Sequence, residues 1–329
     1  FSYMDMLLDF SSRRTLTLLE RQQVAGRMQR AVLTMPPGAQ CLMANMFVLM
    51  QGLKLPWHKR RTTAAERQDY RFFHDVLSLN LGRGYFNFDR FSEAPTIWSD
   101  ASKQSRYSGG GWMSACGRAD WFKYGASAAR RPIDFLEGDT VVSAVEDMGP
   151  LWRRKWVPFG VDNQAFQRSA VKGWSRARRL TDLLKRLFVL QLRHECLLRF
   201  FWIASAANLL ADHLSRGRVS DFFDSLLGAG MLAPGATVRM RADAGRVRHL
   251  PRHGAFAPED LEYIHSLGRD QVDMELYSLM VTASVLLQAA ARRFLARRRL
   301  RRGGVGMRGF MVTALLLGGA ARRRVGSML

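Results

Sequence analysis

Four acidic residues are spaced so that they could share one piece of chemistry. Asp100 lies in Ile97-Trp98-Ser99-Asp100-Ala101-Ser102, and Glu137 follows Leu136 at the start of an apolar helical stripe. Asp162 closes Trp156-Val157-Pro158-Phe159-Gly160-Val161, and Asp212 sits in Asn208-Leu209-Leu210-Ala211-Asp212-His213-Leu214-Ser215-Arg216. Carboxylates with no His or Cys cluster beside them are ligands for hard divalent cations such as Mg²⁺ or Mn²⁺. Two such ions about 4 Å apart can generate hydroxide and stabilise a leaving oxygen during in-line hydrolysis of a phosphodiester. Brought together without metal, the four carboxylates would repel one another, so cation binding should also stabilise the fold.

Each acid also has a plainer reading. Asp100 alone reads as a solvated turn residue, Asp162-Asn163 as an Asx turn after a strand, and Asp212 as a helix-surface charge. Asp134 and Asp139 compete with Glu137 for the carboxylate on the helix face.

The elements that must position these residues are legible in the pattern. From Pro95, three short aromatic-rich runs separated by Gly and Ser read as a three-stranded meander: Thr96 to Ser102, Gly109 to Ala115 and Asp120 to Tyr124. Leu136, Val141, Ala144, Val145, Met148 and Leu151 follow a helical stripe, and Trp156 to Val161 is a buried-type strand ending in Asp162-Asn163. Gln164 to Glu195 carries Leu180, Leu183, Leu184, Leu187 and Leu190 on one side and basic residues on the other, as an amphipathic helix or pair of helices. Leu198 to Ala204 gives a fifth strand and Asn208 to Ser215 a short helix. The order β-β-β-α-β-α-β-α predicts an α/β fold, a mixed five-stranded sheet with flanking helices. Upstream, Leu16 to Gly52 reads as two helices joined at Met35-Pro36-Pro37-Gly38, and Ala64 to Leu79 as a third behind the cap candidates Thr62-Thr63.

The bulk properties nominate a partner class. Fifty Lys and Arg against 28 Asp and Glu give +22, mostly from Arg. Guanidinium groups pair bidentately with phosphates, so nucleic acid fits best, although an anionic membrane surface would attract the same charge. Cys41, Cys116 and Cys196 stand far apart with no zinc-type spacing, which predicts a reducing, cytoplasmic or nuclear, compartment. No secretory signal is visible. The apolar stretches Leu279 to Ala291 and Phe310 to Ala321 are shorter than the roughly 20 residues of a spanning helix. Eleven Arg and no acid between Arg292 and Arg324 read as a basic, poorly ordered tail.

The segments around the four acids, with the Gly-rich Gly109 to Trp112 run, resemble the RNase H domain of retroelement reverse transcriptases. The likeness is greatest to DIRS-type retrotransposons, on the strength of the Asn208 to Arg216 motif. The separations of 37, 25 and 50 residues between successive acids suit that fold. Met6 to Phe10, Leu16 to Leu18 and the Met35 to Gly38 turn are similar to the connecting region upstream of such domains, so the likeness spans about residues 4 to 217. It implies a connection or thumb-like helical region over 1–92, an RNase H-like domain over 93–217 and a basic region of low definition over 218–329. It also implies two Mg²⁺ or Mn²⁺ ions on Asp100, Glu137, Asp162 and Asp212, which are then both ligands and catalytic residues, and an RNA–DNA hybrid as substrate. The polymerase part of a retroelement protein would be a partner, and no small-molecule substrate is implied.

Three departures stand out. Tyr3-Met4-Asp5-Met6 lacks the second Asp of a polymerase motif, and its neighbours match a strand of the connecting region. The loop before the last acid is Ala204-Ser205-Ala206-Ala207, where cellular relatives carry a His. Nothing after Gly217 matches the family. Two readings follow, an endoribonuclease within a truncated reverse transcriptase and an inactive remnant that still binds nucleic acid. A basic membrane-surface protein is a third, weaker one.

Overall fold

The computed structural model describes residues 3–33, 35–78, 91–104, 107–229 and 238–249. All fall in the first of two compact units, Phe1–Asp270. The second unit, Gln271–Leu329, and with it the Arg-rich tail and both apolar stretches, lies outside the described residues.

A helical layer comes first: α1 (Tyr3–Ser12), β1 (Thr15–Thr17), α2 (Leu18–Val32), α3 (Ala44–Met50), β2 (Lys59–Arg61) and α4 (Ala64–Ser78). Thr17 starts α2 with a capping box, its hydroxyl accepting from the Glu20 N–H while the Glu20 carboxylate accepts from the Thr17 N–H. β1 and β2 pair antiparallel. Beneath them the buried Arg21 of α2 donates to Glu66 of α4 and to the Leu16 and Arg60 carbonyls, and the Tyr70 hydroxyl also donates to Glu66. These hydrogen bonds offset the desolvation that makes buried ion pairs costly. A second buried pair, Asp69 of α4 with Lys185, ties the layer to the helices of the sheet.

The sheet follows: β3 (Ser92–Glu93), β4 (Ile97–Lys103), β5 (Ser108–Ser114), β6 (Arg118–Tyr124), α5 (Ala126–Ala129), α6 (Ile133–Met148), β7 (Lys155–Val161), α7 (Gln164–Lys172), α8 (Arg178–Arg193), β8 (Leu197–Trp202), α9 (Leu209–Ser215), α10 (Val219–Ala229), β9 (Arg239–Met240) and β10 (Val247–Arg248). β4, β5 and β6 form an antiparallel meander, and β7 lies parallel to both β4 and β8. The expected mixed α/β sheet with flanking helices is therefore present. One hydrophobic core runs from Leu7 and Phe10 of α1 through Val141 and Val145 of α6 and Leu187 and Phe188 of α8 to Val157 and Phe159 of β7. A smaller cluster on α9 and α10 gathers Met113, Ala119, Leu210, Leu214, Phe222 and Leu226.

Some elements differ from the sequence pattern. Tyr3 to Met6 and the residues after them, whose neighbours were likened to a strand of the connecting region, lie in α1, because Leu7 and Phe10 bury one helical face. Among the described residues the sheet has eight strands rather than five. Besides the short β3, the additions come from beyond Gly217, where β9 and β10 pair parallel to β6. Their anchor is electrostatic. Nη1 of Arg246 donates to both oxygens of Asp120, which is fully buried on β6, and Arg248 forks onto Asp139, buried on α6, while also reaching Glu146. Without those arginines two carboxylates would be buried uncompensated.

Candidate metal centre

Strand register brings the first and third acids level. Ile97 pairs with Phe159 and Trp98 with Gly160, and the β4–β7 ladder stops there. Two residues further on, Asp100 and Asp162 face each other across the diverging strands. Glu137, one turn into α6, reaches the same gap, where it meets the Asp100 carboxyl and accepts a hydrogen bond from the Ala101 N–H. Carboxylate oxygens of Asp100, Glu137 and Asp162 all lie within 4.8 Å of one another. The three acids competing for the helix face thus separate: Asp134 accepts from its neighbour Phe135 at the start of α6, Asp139 turns to Arg248, and Glu137 joins Asp100.

The fourth acid rides on α9, and the reason that helix lies flat on the sheet is the glycine run. A Cβ on Gly111 would stand 2.4 Å from Leu214 Cβ and 2.6 Å from the Ser215 nitrogen, and one on Gly109 2.4 Å from the Ser215 carbonyl oxygen. On the opposite face, a Cβ on Gly110 would strike Thr140 and Phe122. Close neighbours on both faces leave no room for side chains at Gly109, Gly110 and Gly111 of β5. Side-chain bonds finish the docking: Asn208 Nδ2 donates to the Ser99 carbonyl at 3.0 Å, and Ser102 Oγ to the Ser215 carbonyl at 2.7 Å. Ser215 Oγ donates in a short bond to Asp100 Oδ2.

Asp212 stands apart from the triad. Its Oδ1 takes Nε of Arg216 at 2.6 Å and its Oδ2 takes Nη2 of Arg218 at 2.8 Å. It is near enough for its charge to push the Asp100 pKa upward. Beside the acids, Ala101, Ser102, Lys103, Gln104, Ile133 and Arg216 line an open cleft of about 650 Å³.

The electrostatics are those of carboxylates crowded out of water. Burial, assisted by the charges of Asp162 and Asp212, pushes Asp100 up to about 6, although the Ser215 bond and Arg216 pull it down. Burial followed by the charges of Asp100 and Asp162 lifts Glu137 well above the carboxylate range. Glu137 Oε2 is buried and has no hydrogen-bond partner. An orphaned carboxylate oxygen between two other carboxylates is a donor set that fits a hard divalent cation, which would supply the missing positive charge.

Sequence reasoning missed Ser102, Asn208, Ser215 and Arg216. Asn208, Ser215 and Arg216 sat inside the motif that was singled out, and their small or polar character at one helix face was the available signal. Arg246 and Arg248 had no signal, because their partners lie more than a hundred residues away.

No protein-family model matches the chain, and no curated protein matches it either. Among solved structures it is similar to the RNase H1 of the halophilic archaeon Halobacterium salinarum, at 16% identity over 39% of this chain and 98% of that one, with a TM-score of 0.33. The N-terminal RNase H domain of a Mycobacterium tuberculosis protein, solved as a fusion with maltose-binding protein, is similar at 14% identity over 40% of this chain and 99% of that one, TM-score 0.29. A foamy viral protease-reverse transcriptase in complex with RNA/DNA hybrid is similar at 13% identity over 61% of this chain and 26% of that one, TM-score 0.22. Among the described residues the sheet is a mixed one, with the antiparallel meander β4–β5–β6, β7 parallel beside β4, β8 parallel beside β7, and the helices α6 and α9 packed against it.

Proposed function

We propose that this chain is a metal-dependent endoribonuclease that cleaves the RNA strand of RNA–DNA hybrids, as the RNase H part of a retroelement reverse transcriptase whose polymerase part is its partner. The observation that carries the proposal is the convergence of Asp100, Glu137 and Asp162 within 4.8 Å around an unpartnered Glu137 oxygen. Asp100, Glu137 and Asp162 would hold one cation, and Asp212 would complete the site for a second with Asp100. Bound divalent ions supply an activated water and a counter-charge for the leaving oxygen. The chain's own residues do the positioning. Ser215 orients Asp100, and the Trp202 indole N–H holds the Asp162 carbonyl at 3.0 Å. The open cleft of Lys103 and Arg216 suits a polyanionic backbone, and Ser102 and Gln104 add neutral hydrogen-bonding groups of the kind that 2′-hydroxyl recognition uses.

Cleavage of a labelled RNA–DNA hybrid with Mg²⁺ is the test. The expected result is fragmentation of the RNA strand, lost in Asp100→Asn and Asp162→Asn proteins and in chelator. Intact RNA, or cleavage that persists in both variants, would overturn the assignment. The two ion pairs that occupy Asp212 favour a second reading, an inactive module that only binds nucleic acid. That reading predicts salt-dependent hybrid binding, equal with and without chelator, and no cleavage.

A further inference from the structure

Arg216 is the residue whose surroundings ask most of it. It lines the cleft beside the acids, it lies close enough to Asp100 to favour that group's charged form, and its Nε holds Asp212. Arg218 holds the other Asp212 oxygen, but it also lies 3.8 Å from Asp221. If Asp212 turns away to bind a cation, Arg218 keeps an acidic neighbour. Among the described residues no other carboxylate is paired with Arg216. The partly exposed guanidinium is then free to take a new anion, and the cleft it lines also contains Lys103, whose Nζ donates at 2.8 Å to the carbonyl of Arg131.

We propose that Arg216 is a phosphate-binding residue held in reserve by Asp212: when Asp212 is freed, Arg216 passes to a backbone phosphate of nucleic acid lying in the Lys103–Gln104 cleft. This rests on the nucleic-acid reading for its ligand and on Asp212 being a ligand for its trigger. The exchange couples two events. Any process that removes the Asp212 charge from Arg216 raises the affinity of the cleft for phosphate, and by linkage bound phosphate eases the release of Asp212.

The exchange can be read without metal and without turnover. Asp212→Asn frees Arg216 permanently, so binding of a fluorescently labelled RNA–DNA hybrid is measured by anisotropy in chelator, at fixed salt, on the full chain. Asp212→Asn should tighten binding roughly three- to tenfold, the order expected for one more phosphate contact, and steepen the slope of log affinity against log salt by about 0.9. In an Arg216→Ala background the same substitution should gain less than about twofold, the residue of a general charge effect. In an Arg218→Ala background the full gain should remain. All three side chains are partly exposed, and matching thermal unfolding of the variants confirms that they fold. Equal gains in the Arg216→Ala and unaltered backgrounds would overturn the exchange while leaving the nuclease proposal standing. If the unaltered chain fails to bind hybrid at low salt, the nucleic-acid reading falls and this inference with it.

Discussion

Replacing Arg248 by Ala removes a fork that holds the far end of the sheet to its central helix. Its Nε and Nη2 contact both oxygens of Asp139 at 2.6 and 3.1 Å, and its Nη1 reaches Glu146 at 3.1 Å. Burial works against the Arg248 charge, yet Asp139 and Glu146 outweigh it and hold its pKa above the usual arginine value. Asp139 is only 2% exposed, so the variant strands a carboxylate away from water. Breaking a buried pair this way costs about 3–5 kcal/mol. Glu146 adds little, because it is partly exposed and keeps Arg186. Loss of the guanidinium from over the Phe122 ring adds roughly 0.5 kcal/mol. Urea unfolding followed by tryptophan fluorescence measures the change in the unaltered chain, Arg248→Ala, Asp139→Asn and the double variant. The double variant should recover at least about 2 kcal/mol relative to the sum of the singles, because a neutral Asn tolerates burial better than a stranded charge. A loss below about 1 kcal/mol in Arg248→Ala, or additive singles, would refute the claim that β10 is part of the folded core.

Three further outcomes are expected. Gly111→Ala should cost about 1–3 kcal/mol by overpacking against Leu214 and Ser215 and should abolish cleavage by displacing α9; unchanged unfolding and activity would mean that α9 does not press on β5. Asp100 titrates at about 6 when folded against an ordinary 3.8, so the native state keeps a proton that the unfolded chain releases. In chelator, stability should therefore fall by about 3 kcal/mol as pH rises from 4 through 6, and Asp100→Asn should flatten that fall; an identical pH profile in the variant would contradict it. Millimolar Mg²⁺ should raise the melting temperature at pH 7.5 in the unaltered chain and not in Glu137→Gln, checked by differential scanning fluorimetry, whereas an equal rise in both would place the cation elsewhere.

Much of the fold was legible because its signals are local. The aromatic-rich runs of β4 to β6 are short and separated by Gly and Ser, the Leu stripe of α8 repeats at helical spacing, and a break at Gly173 divides the amphipathic stretch into α7 and α8. The N-terminal strand expectation failed where a resemblance outweighed the helical spacing of Leu7 and Phe10. The choice among Asp134, Glu137 and Asp139 was open in the pattern, since all three lie within two turns of one helix, and only the rotation of α6 against β4 separates them.

By itself, the sequence determined the order of the elements from β4 to α9, the excess of positive charge and the presence of four acids of a type that suits hard cations, because each is a property of residue types and short spacings. Only the tertiary structure decided which carboxylates share a gap, and it did so through the β4–β7 register and the glycine-floored bed of α9. It also decided the fate of individual charges. Arg246 and Arg248 read as part of a loose basic end, yet they neutralise acids buried more than a hundred residues earlier. Asp212 and Arg216 are an i,i+4 pair that local spacing allows, and the tertiary structure decided that Arg216 also lines the cleft. A charge whose partner lies far away in the chain has no spacing rule that names it, so its role is set by what burial leaves beside it.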